Sequence, residues 1–92
     1  MTSSSTPYSS TPVFNEETLP AALQNAHNTK AGTWGVLELI AGELVYVVEE
    51  SGHRRILRAG DRQLITPEQL HHVELIGAMQ MQVHFHREKP AL

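Results

Sequence analysis

The sequence predicts an all-β fold in which short antiparallel strands form a sandwich or a small barrel. From residue 23 onward, Gly and Pro signals close apolar stretches at short intervals. The last of these stretches alternates strictly, so that Met79, Met81 and Val83 share one face and polar side chains share the other. No long segment has a helical hydrophobic period. The last observation argues against a parallel α/β sheet, which needs helices between its strands.

The chain divides into a tail and one domain. Residues 1–12 are rich in Ser, Thr and Pro and predict a disordered N-terminal tail. Residues 13–92 predict a single β domain that begins with a short helical turn around Thr18 and Pro20. Strands are predicted at 23–28, 33–40, 43–50, 53–58, 62–66, 71–76 and 79–86. The breaks between them fall at Gly32, Gly42, Gly52, Gly60, Pro67 and Gly77.

The strand predicted at 33–40 is apolar on both faces. Trp34 and Val36 share one face, and Leu37 lies on the other. A small domain can cover one face of such a strand with its own core, so a partner subunit is expected on the other. We therefore expect a homodimer. Glu38 lies on the Trp34 face, which makes it the carboxylate most at risk of burial.

Composition excludes several classes of function. The chain has 92 residues and no cysteine, which excludes disulfides, thiol catalysis and iron–sulfur clusters. A net charge of −3, with His53-Arg54-Arg55 as the main basic cluster, argues against a nucleic-acid partner. No apolar run approaches the ~18 residues of a membrane helix. Residues 1–12 lack the features of a secretory signal, so we expect no membrane partner and a cytoplasmic location.

One segment near the start of the domain places a histidine and a lysine just ahead of an apolar strand: His27-Asn28-Thr29-Lys30-Ala31-Gly32-Thr33-Trp34-Gly35. It closely resembles the small N-terminal domain of TehB-type tellurite-resistance proteins and their single-domain YeaR-like relatives. The similarity spans about residues 13–88 and also takes in Leu19-Pro20, Gly42 through Tyr46, Pro67 to Glu74 and Phe85.

A second segment, Gly60 to His71, looks like the second motif of the cupin superfamily. His71 stands where cupins place a metal ligand, and Pro67 fixes the turn ahead of it. The first cupin motif is degraded, because Asn28, Lys30 and Gly35 occupy the positions of its two histidines and its carboxylate. The resemblance implies that residues 13–92 form a cupin-like antiparallel β-barrel of the jelly-roll type.

The resemblance implies His71 as a ligand to one divalent transition metal, and His27 could face it as a second ligand. A zinc or non-haem iron site needs three protein ligands, and manganese or nickel are the other candidates. Possible third ligands are Glu38, Gln82 and His84. The alternative is that both histidines are buried and satisfied by hydrogen bonds to the backbone.

An organic or oxyanion ligand is a separate possibility. Lys30 at the mouth of a barrel would attract an anion, and a nearby imidazole would help. Trp34 and Tyr46 could form the walls of a small pocket. The alternatives are a solvated loop lysine and aromatic side chains that pack in the core or at an interface.

Three functions remain open on the sequence. The leading one is a domain that binds a small ligand or a metal, with a tellurite, oxyanion or oxidative-stress role implied only by the resemblance. The second is a metal-dependent cupin enzyme, such as a dioxygenase or an isomerase. The third is a structural or interaction domain whose barrel is filled by side chains. The best-known member of the family it resembles joins this domain to a methyltransferase, but no Gly-rich adenosyl-cofactor loop is present here, so methyl transfer is not expected.

Overall fold

The computed structural model of the protein describes residues 6–92. These residues form an antiparallel sheet with almost no helix, which confirms the all-β prediction. The strands are β1 (Ser9–Ser10), β2 (Phe14–Asn15), β3 (Trp34–Val48), β4 (Arg54–Arg58), β5 (Arg62–Ile65) and β6 (His71–His86), with one 3₁₀ helix at Ala21–Gln24.

The sheet is built around two long central strands. Its order is β1-β6-β3-β4, with β2 also paired to β6 and β5 also paired to β3. Within the described residues this pairing forms an open sheet, so the all-β class holds without the closed barrel that the resemblance implies. No helix in this part of the chain is long and apolar enough to cross a membrane.

Two pairs of predicted strands are each one continuous strand in the structure. The stretches predicted at 33–40 and 43–50 form β3, and those predicted at 71–76 and 79–86 form β6. The ladder between them runs from Trp34, opposite His86, to Val48, opposite His71, with register shifts on both sides of Gly42. The glycine that predicted a turn therefore marks β-bulges inside a strand.

The bulges change which side of β3 is buried. Leu37 and Leu39 are buried before them, whereas Leu44 and Tyr46 are buried after them, so the parity switches from odd to even. In β6 the buried side chains from His71 to Val83 keep the predicted alternation, whereas His86 is buried on the other parity. One continuous core results, made of Leu19, Leu37, Leu39, Leu44, Tyr46, Leu57, Ile65, Val73, Met79, Met81 and Val83.

The prediction of a strand at 23–28 is wrong. The chain forms the 3₁₀ helix Ala21–Gln24 there, and Asn25 Nδ2 donates a hydrogen bond of 2.9 Å back to the Ala21 carbonyl. Only His27 joins the sheet, through an isolated bridge to His71. The short strands predicted at 53–58 and 62–66 correspond to β4 and β5.

The N-terminal segment differs from the expected tail over the part that the structure describes. Residues 1–5 lie outside the described residues. Beyond them, the Tyr8 N–H donates to the Phe85 carbonyl and the Thr11 N–H to the Val83 carbonyl, both at 2.9 Å. A segment with little apolar surface is therefore held on the edge of β6 by main-chain hydrogen bonds, which composition does not predict.

Candidate functional site

A cavity of about 380 Å³ opens on the core side of the sheet. Most of its lining is apolar, and its polar groups come from the segment after the 3₁₀ helix, the start of β6 and the N-terminal segment. The lining side chains are Tyr8, Ser9, Thr11, Leu23, His27, Asn28, Thr29, Lys30, Thr33, Leu37, Tyr46, Ile65, His71, Val73, Met81, Val83 and Phe85.

The isolated bridge sets the two histidines side by side. The His27 N–H donates to the His71 carbonyl at 3.0 Å, and the His71 N–H donates to the His27 carbonyl at 2.9 Å. Residues paired in this way project their side chains from the same face. The imidazole centroids accordingly lie 4.2 Å apart in an edge-to-face arrangement. The structure thus brings together the two histidines on which the sequence-based site was centred.

Each imidazole is fixed by a backbone carbonyl two residues earlier. His27 Nδ1 donates to Asn25 O at 2.9 Å, and His71 Nδ1 donates to Gln69 O at 2.8 Å. A carbonyl can only accept, so Nδ1 carries the proton and Nε2 holds a lone pair in the neutral ring. Neither Nε2 has a hydrogen-bond partner among residues 6–92.

His71 is kept neutral by its surroundings. Its side chain is buried, with 2% of the residue exposed. Burial lowers the pKa of His71, and a charge on nearby His27 would lower it further, against the opposing effect of the Gln69 carbonyl. The imidazole therefore presents an acceptor, rather than a cation, at neutral pH.

Tyr46 supplies the third polar group of this centre. Its ring stacks on His71 with centroids 5.3 Å apart and an angle of 25° between the planes. Its hydroxyl is buried and has no hydrogen-bond partner within the described part of the chain. Burial raises the pKa of this phenol, so the hydroxyl stays protonated. Tyr46 Oη is the only fully buried side-chain nitrogen or oxygen atom without a partner in the described chain, so the two unpaired Nε2 atoms are not fully buried.

Lys30 lies in the same cavity wall and is exposed. The loop that carries it is closed by a hydrogen bond of 2.7 Å from Thr29 Oγ1 to the Thr33 carbonyl, and the Glu68 N–H donates to the Thr29 carbonyl at 2.8 Å. Lys30 is the only lysine or arginine among the lining residues, and no carboxylate lines the cavity.

Glu38 and His84 lie on the opposite face of the sheet. Residues 36 and 38 of β3 alternate away from the core, and their partners on β6 do the same. There His84 Nε2 lies 2.9 Å from Glu38 Oε1, and His84 Nδ1 lies 2.7 Å from Ser10 Oγ. The Glu38 side chain is 44% exposed rather than buried. These two candidate ligands are thus paired with each other and separated from His27 and His71.

Trp34 also lies outside the cavity lining. Lys89 Nζ sits 5.9 Å from the centroid of its ring. In the part of the chain that the structure describes, no group of three or more His, Cys, Asp or Glu side chains could hold a metal ion. Around the cavity the donor set is therefore two imidazoles and a protonated phenol, which does not fit a site with three protein ligands of the usual kinds.

Sequence reasoning missed two features of this region. Tyr8 and the segment after it line the cavity, although Ser- and Thr-rich composition predicts a tail. The second is an outer network in which His72 contacts Glu49 and lies 2.9 Å from Glu74, which in turn pairs with Arg54. Glu74 shares the face of His72 on β6, which alternation predicts, but Glu49 follows β3 and Arg54 begins β4, and no local sequence signal brings those two to this cluster.

Comparison with known proteins places this geometry in a family. A family model described as the TehB-like domain matches residues 9–83. Over 46 residues the chain is 44% identical to a protein of Haemophilus influenzae named probable S-adenosyl-L-methionine-dependent methyltransferase TehB. A second Haemophilus influenzae strain has a protein of the same name at 41% identity. Each of these matches takes in 49% of this chain and 16% of the relative, so the chain corresponds to a small part of those proteins.

Solved structures share the fold. The crystal structure of TehB from Haemophilus influenzae superposes with a TM-score of 0.81 and 28% identity, over 92% of this chain and 32% of that one. The crystal structure of a protein from Escherichia coli strain K12 superposes with a TM-score of 0.79 and 22% identity, over 92% of both chains. At that identity the second likeness concerns the fold alone. Since the family model covers most of the chain, this protein belongs to the TehB-like domain family.

Proposed function

We propose that this domain binds a small molecule in the cavity, with His71 and His27 as its polar centre. The observation that carries the proposal is a cavity of about 380 Å³ in which both imidazole Nε2 atoms lack a protein partner. Ligand sites are typically apolar clefts of roughly 300–1,000 Å³ with a few convergent polar groups. The cavity has both properties.

The alternative of a purely structural domain is supported by one half of the histidine geometry. Both Nδ1 atoms bond to the backbone, as that alternative requires. It also requires an interior filled by side chains, and the cavity argues against this. Side chains that fill an interior pack to a density of about 0.75, and they would not leave an open cleft of this size beside the core.

The proposal is tested by binding small aromatic compounds while following backbone amides by NMR. We expect saturable shifts confined to residues that line the cavity, and we expect Val83→Phe to abolish them by filling the space. The matched control is Val13→Phe, because Val13 is 49% exposed and lies outside the lining. If no compound shifts the lining residues at millimolar concentration, or if Val83→Phe binds as well as wild type, the proposal is wrong.

A divalent metal is the second candidate, favoured by the way the two rings are held. Metal-bound histidines commonly donate their second ring nitrogen to a backbone carbonyl, as His27 and His71 do. The two Nε2 atoms would then hold zinc, iron, manganese or nickel, with the remaining positions taken by water or a ligand. When bound, such an ion would act as a Lewis acid, and the enzyme hypothesis depends on it.

Metal content per subunit, measured by mass spectrometry after reconstitution, tests this candidate. About one equivalent in wild type and in His53→Ala, but none in His71→Ala, would support it. His53 is the control because it is exposed and lies outside the cavity lining. Wild-type protein that retains no metal would rule this candidate out and leave the small-molecule proposal intact.

The wider biology stays a prediction. The methyltransferase names belong to relatives of which this chain matches a minor part, and the sequence offers no adenosyl-cofactor loop, so methyl transfer is not proposed for it. A role in tellurite or oxidative stress and a cytoplasmic location rest on the family resemblance and on composition. Oxyanions belong in the ligand panel because the resemblance suggests them.

A further inference from the structure

The polar centre of the cavity is asymmetric in its hydrogen-bonding character. Both Nδ1–H groups are already used by the carbonyls of Asn25 and Gln69. What remains toward open space is two lone pairs, one on each Nε2. The hydroxyl of Tyr46, whose ring stacks on His71, is fully buried. A ligand that reaches the two imidazoles therefore meets acceptors and must bring a donor.

The charge of the centre is also constrained by geometry. Imidazole centroids 4.2 Å apart disfavour two protonated rings, because like charges at that separation repel strongly in an apolar environment. Most of the lining is apolar, and no carboxylate lines the cavity to stabilise an imidazolium there. Glu49, outside the lining, raises the pKa of His71 by less than burial lowers it. An anion placed against two lone pairs would lose its hydration without gaining a counter-charge there. Lys30 carries the only ammonium group in the lining, and it is exposed and therefore solvated.

We propose that the cavity binds a neutral, largely apolar molecule that carries a hydroxyl or N–H group and donates it to Nε2 of His71 or His27. This inference rests on the proposed function and names the class of its ligand. A phenol is the simplest example, since its ring suits the apolar walls and its O–H is a strong donor. A site built in this way rejects an analogue that lacks the donor, because the analogue strips water from an acceptor and returns nothing.

The test compares para-ethylphenol with its isomer para-methylanisole, which has the same atoms but no O–H, and with the anion para-methylbenzoate. Dissociation constants are measured by NMR titration on the full chain. We expect the phenol to bind about tenfold more tightly than the ether, as one buried hydrogen bond implies. We expect the benzoate to bind more weakly than either neutral compound.

Replacing both acceptors removes the preference. In the double variant His27→Leu, His71→Leu the bridge between the two residues is retained because it uses main-chain atoms. We expect the phenol and the ether to bind it with dissociation constants within about twofold of each other, since the distinguishing hydrogen bond is gone. His53→Leu, at an exposed position outside the cavity lining, should keep the wild-type ratio.

The outcomes separate this inference from the function beneath it. If the ether matches the phenol in wild type, the donor requirement is wrong, while small-molecule binding stands. If the benzoate binds most tightly, the inference is overturned in favour of an anion site that uses Lys30. If none of the three probes shifts a cavity residue, the proposed function and this inference are both overturned. Should the double variant not fold, the comparison of the two isomers on wild type still decides.

Discussion

Single atoms decide the character of this site at the residue scale. One hydrogen bond from Nδ1 of each histidine fixes which nitrogen is left as an acceptor. One buried hydroxyl, on Tyr46, has no partner in the described chain. Leaving a buried hydroxyl unpaired costs free energy that the stacked ring of His71 does not return. The two Nδ1 hydrogen bonds thus set which groups the cavity offers to a ligand, and the unpaired hydroxyl of Tyr46 lowers the stability of the fold.

Tyr46→Phe should therefore stabilise the protein. The ring keeps its stack on His71 while the unpaired hydroxyl is removed, so the free energy of unfolding should rise by about 1 kcal/mol. Urea denaturation measures the change. Tyr8→Phe is the control, because Tyr8 is 46% exposed and its hydroxyl can meet water. A loss of stability in Tyr46→Phe would mean that the hydroxyl does have a partner.

Folding should shift the pKa values of two adjacent histidines, His71 and His72, in opposite directions. Burial lowers the pKa of His71, whereas Glu74 and then Glu49 raise the pKa of His72. For His71, protonation is harder in the folded state, so its contribution to stability is lost as pH falls below the unfolded value of about 6.5. For His72 the contribution is present at low pH and is lost as pH rises through its raised folded pKa.

Ring proton chemical shifts measured across pH provide the check. We expect the His71 midpoint below that of His72, and we expect His71→Leu to lose stability less steeply than wild type between pH 7 and pH 5. Midpoints in the reverse order would contradict the burial of one ring and the pairing of the other. The carboxylate partner offers a second readout, because Arg54 and then His72 lower the pKa of Glu74 to about 2.

At the scale of elements, the bulged part of the ladder between β3 and β6 depends on Gly42. Its φ is +75°, and a Cβ there would lie 2.1 Å from the Ala78 carbonyl oxygen and 2.9 Å from the Met79 Cα. Both obstacles are backbone of the partner strand and cannot rotate away. Glycine is thus required twice, once by the torsion and once by the close approach of two strands. The same bulges turn Leu44 and Tyr46 toward the core.

Gly42→Ala should be far more damaging than Gly52→Ala. Gly52 has a similar φ of +72° but nothing within 4 Å of a built Cβ, so its replacement should cost only about 1–2 kcal/mol for the left-handed torsion. At Gly42 the same torsional cost adds to a clash with backbone, and we expect at least about 2 kcal/mol more. Chemical denaturation of the two variants measures the difference. Equal losses would show that the strands separate easily at the bulge.

At the scale of the whole molecule, some apolar side chains on the face of the sheet away from the cavity are exposed. Val36 and Val45 are buried on that face, but Ile40 and Ile56 remain 40% and 49% exposed. Exposed apolar groups next to a strand that is apolar on both faces are typical of an interface. The homodimer expected from the sequence therefore stays a prediction with a defined surface.

Sedimentation at micromolar concentration should show a dimer, and Ile40→Lys should shift it toward monomer by placing a charge in the interface. Val13→Lys is the control, since Val13 is 49% exposed and lies outside β3. A wild-type protein that sediments as a stable monomer at this concentration would overturn the prediction.

The sequence by itself determined the elements whose signal is local. Alternation in residues 79–86 set the buried face of β6, and Gly and Pro signals placed β4 and β5 to within a residue or two. The family resemblance also led to His27 and His71 before any geometry was known. Each of these signals lies within a few residues along the chain, where side-chain period and turn chemistry act directly.

Only the tertiary structure decided what depends on contacts between distant residues. Gly42 predicts a turn from its local sequence, but in the folded chain it lies against Ala78 within the ladder. Glu38 and His84 are candidate ligands in the sequence, but the parity of β3 and β6 places both on the face away from the cavity. Pairing of the N-terminal segment with β6 likewise brings Tyr8 to the cavity. Register between strands far apart in sequence is set by the packing of the whole sheet, so no local pattern carries it.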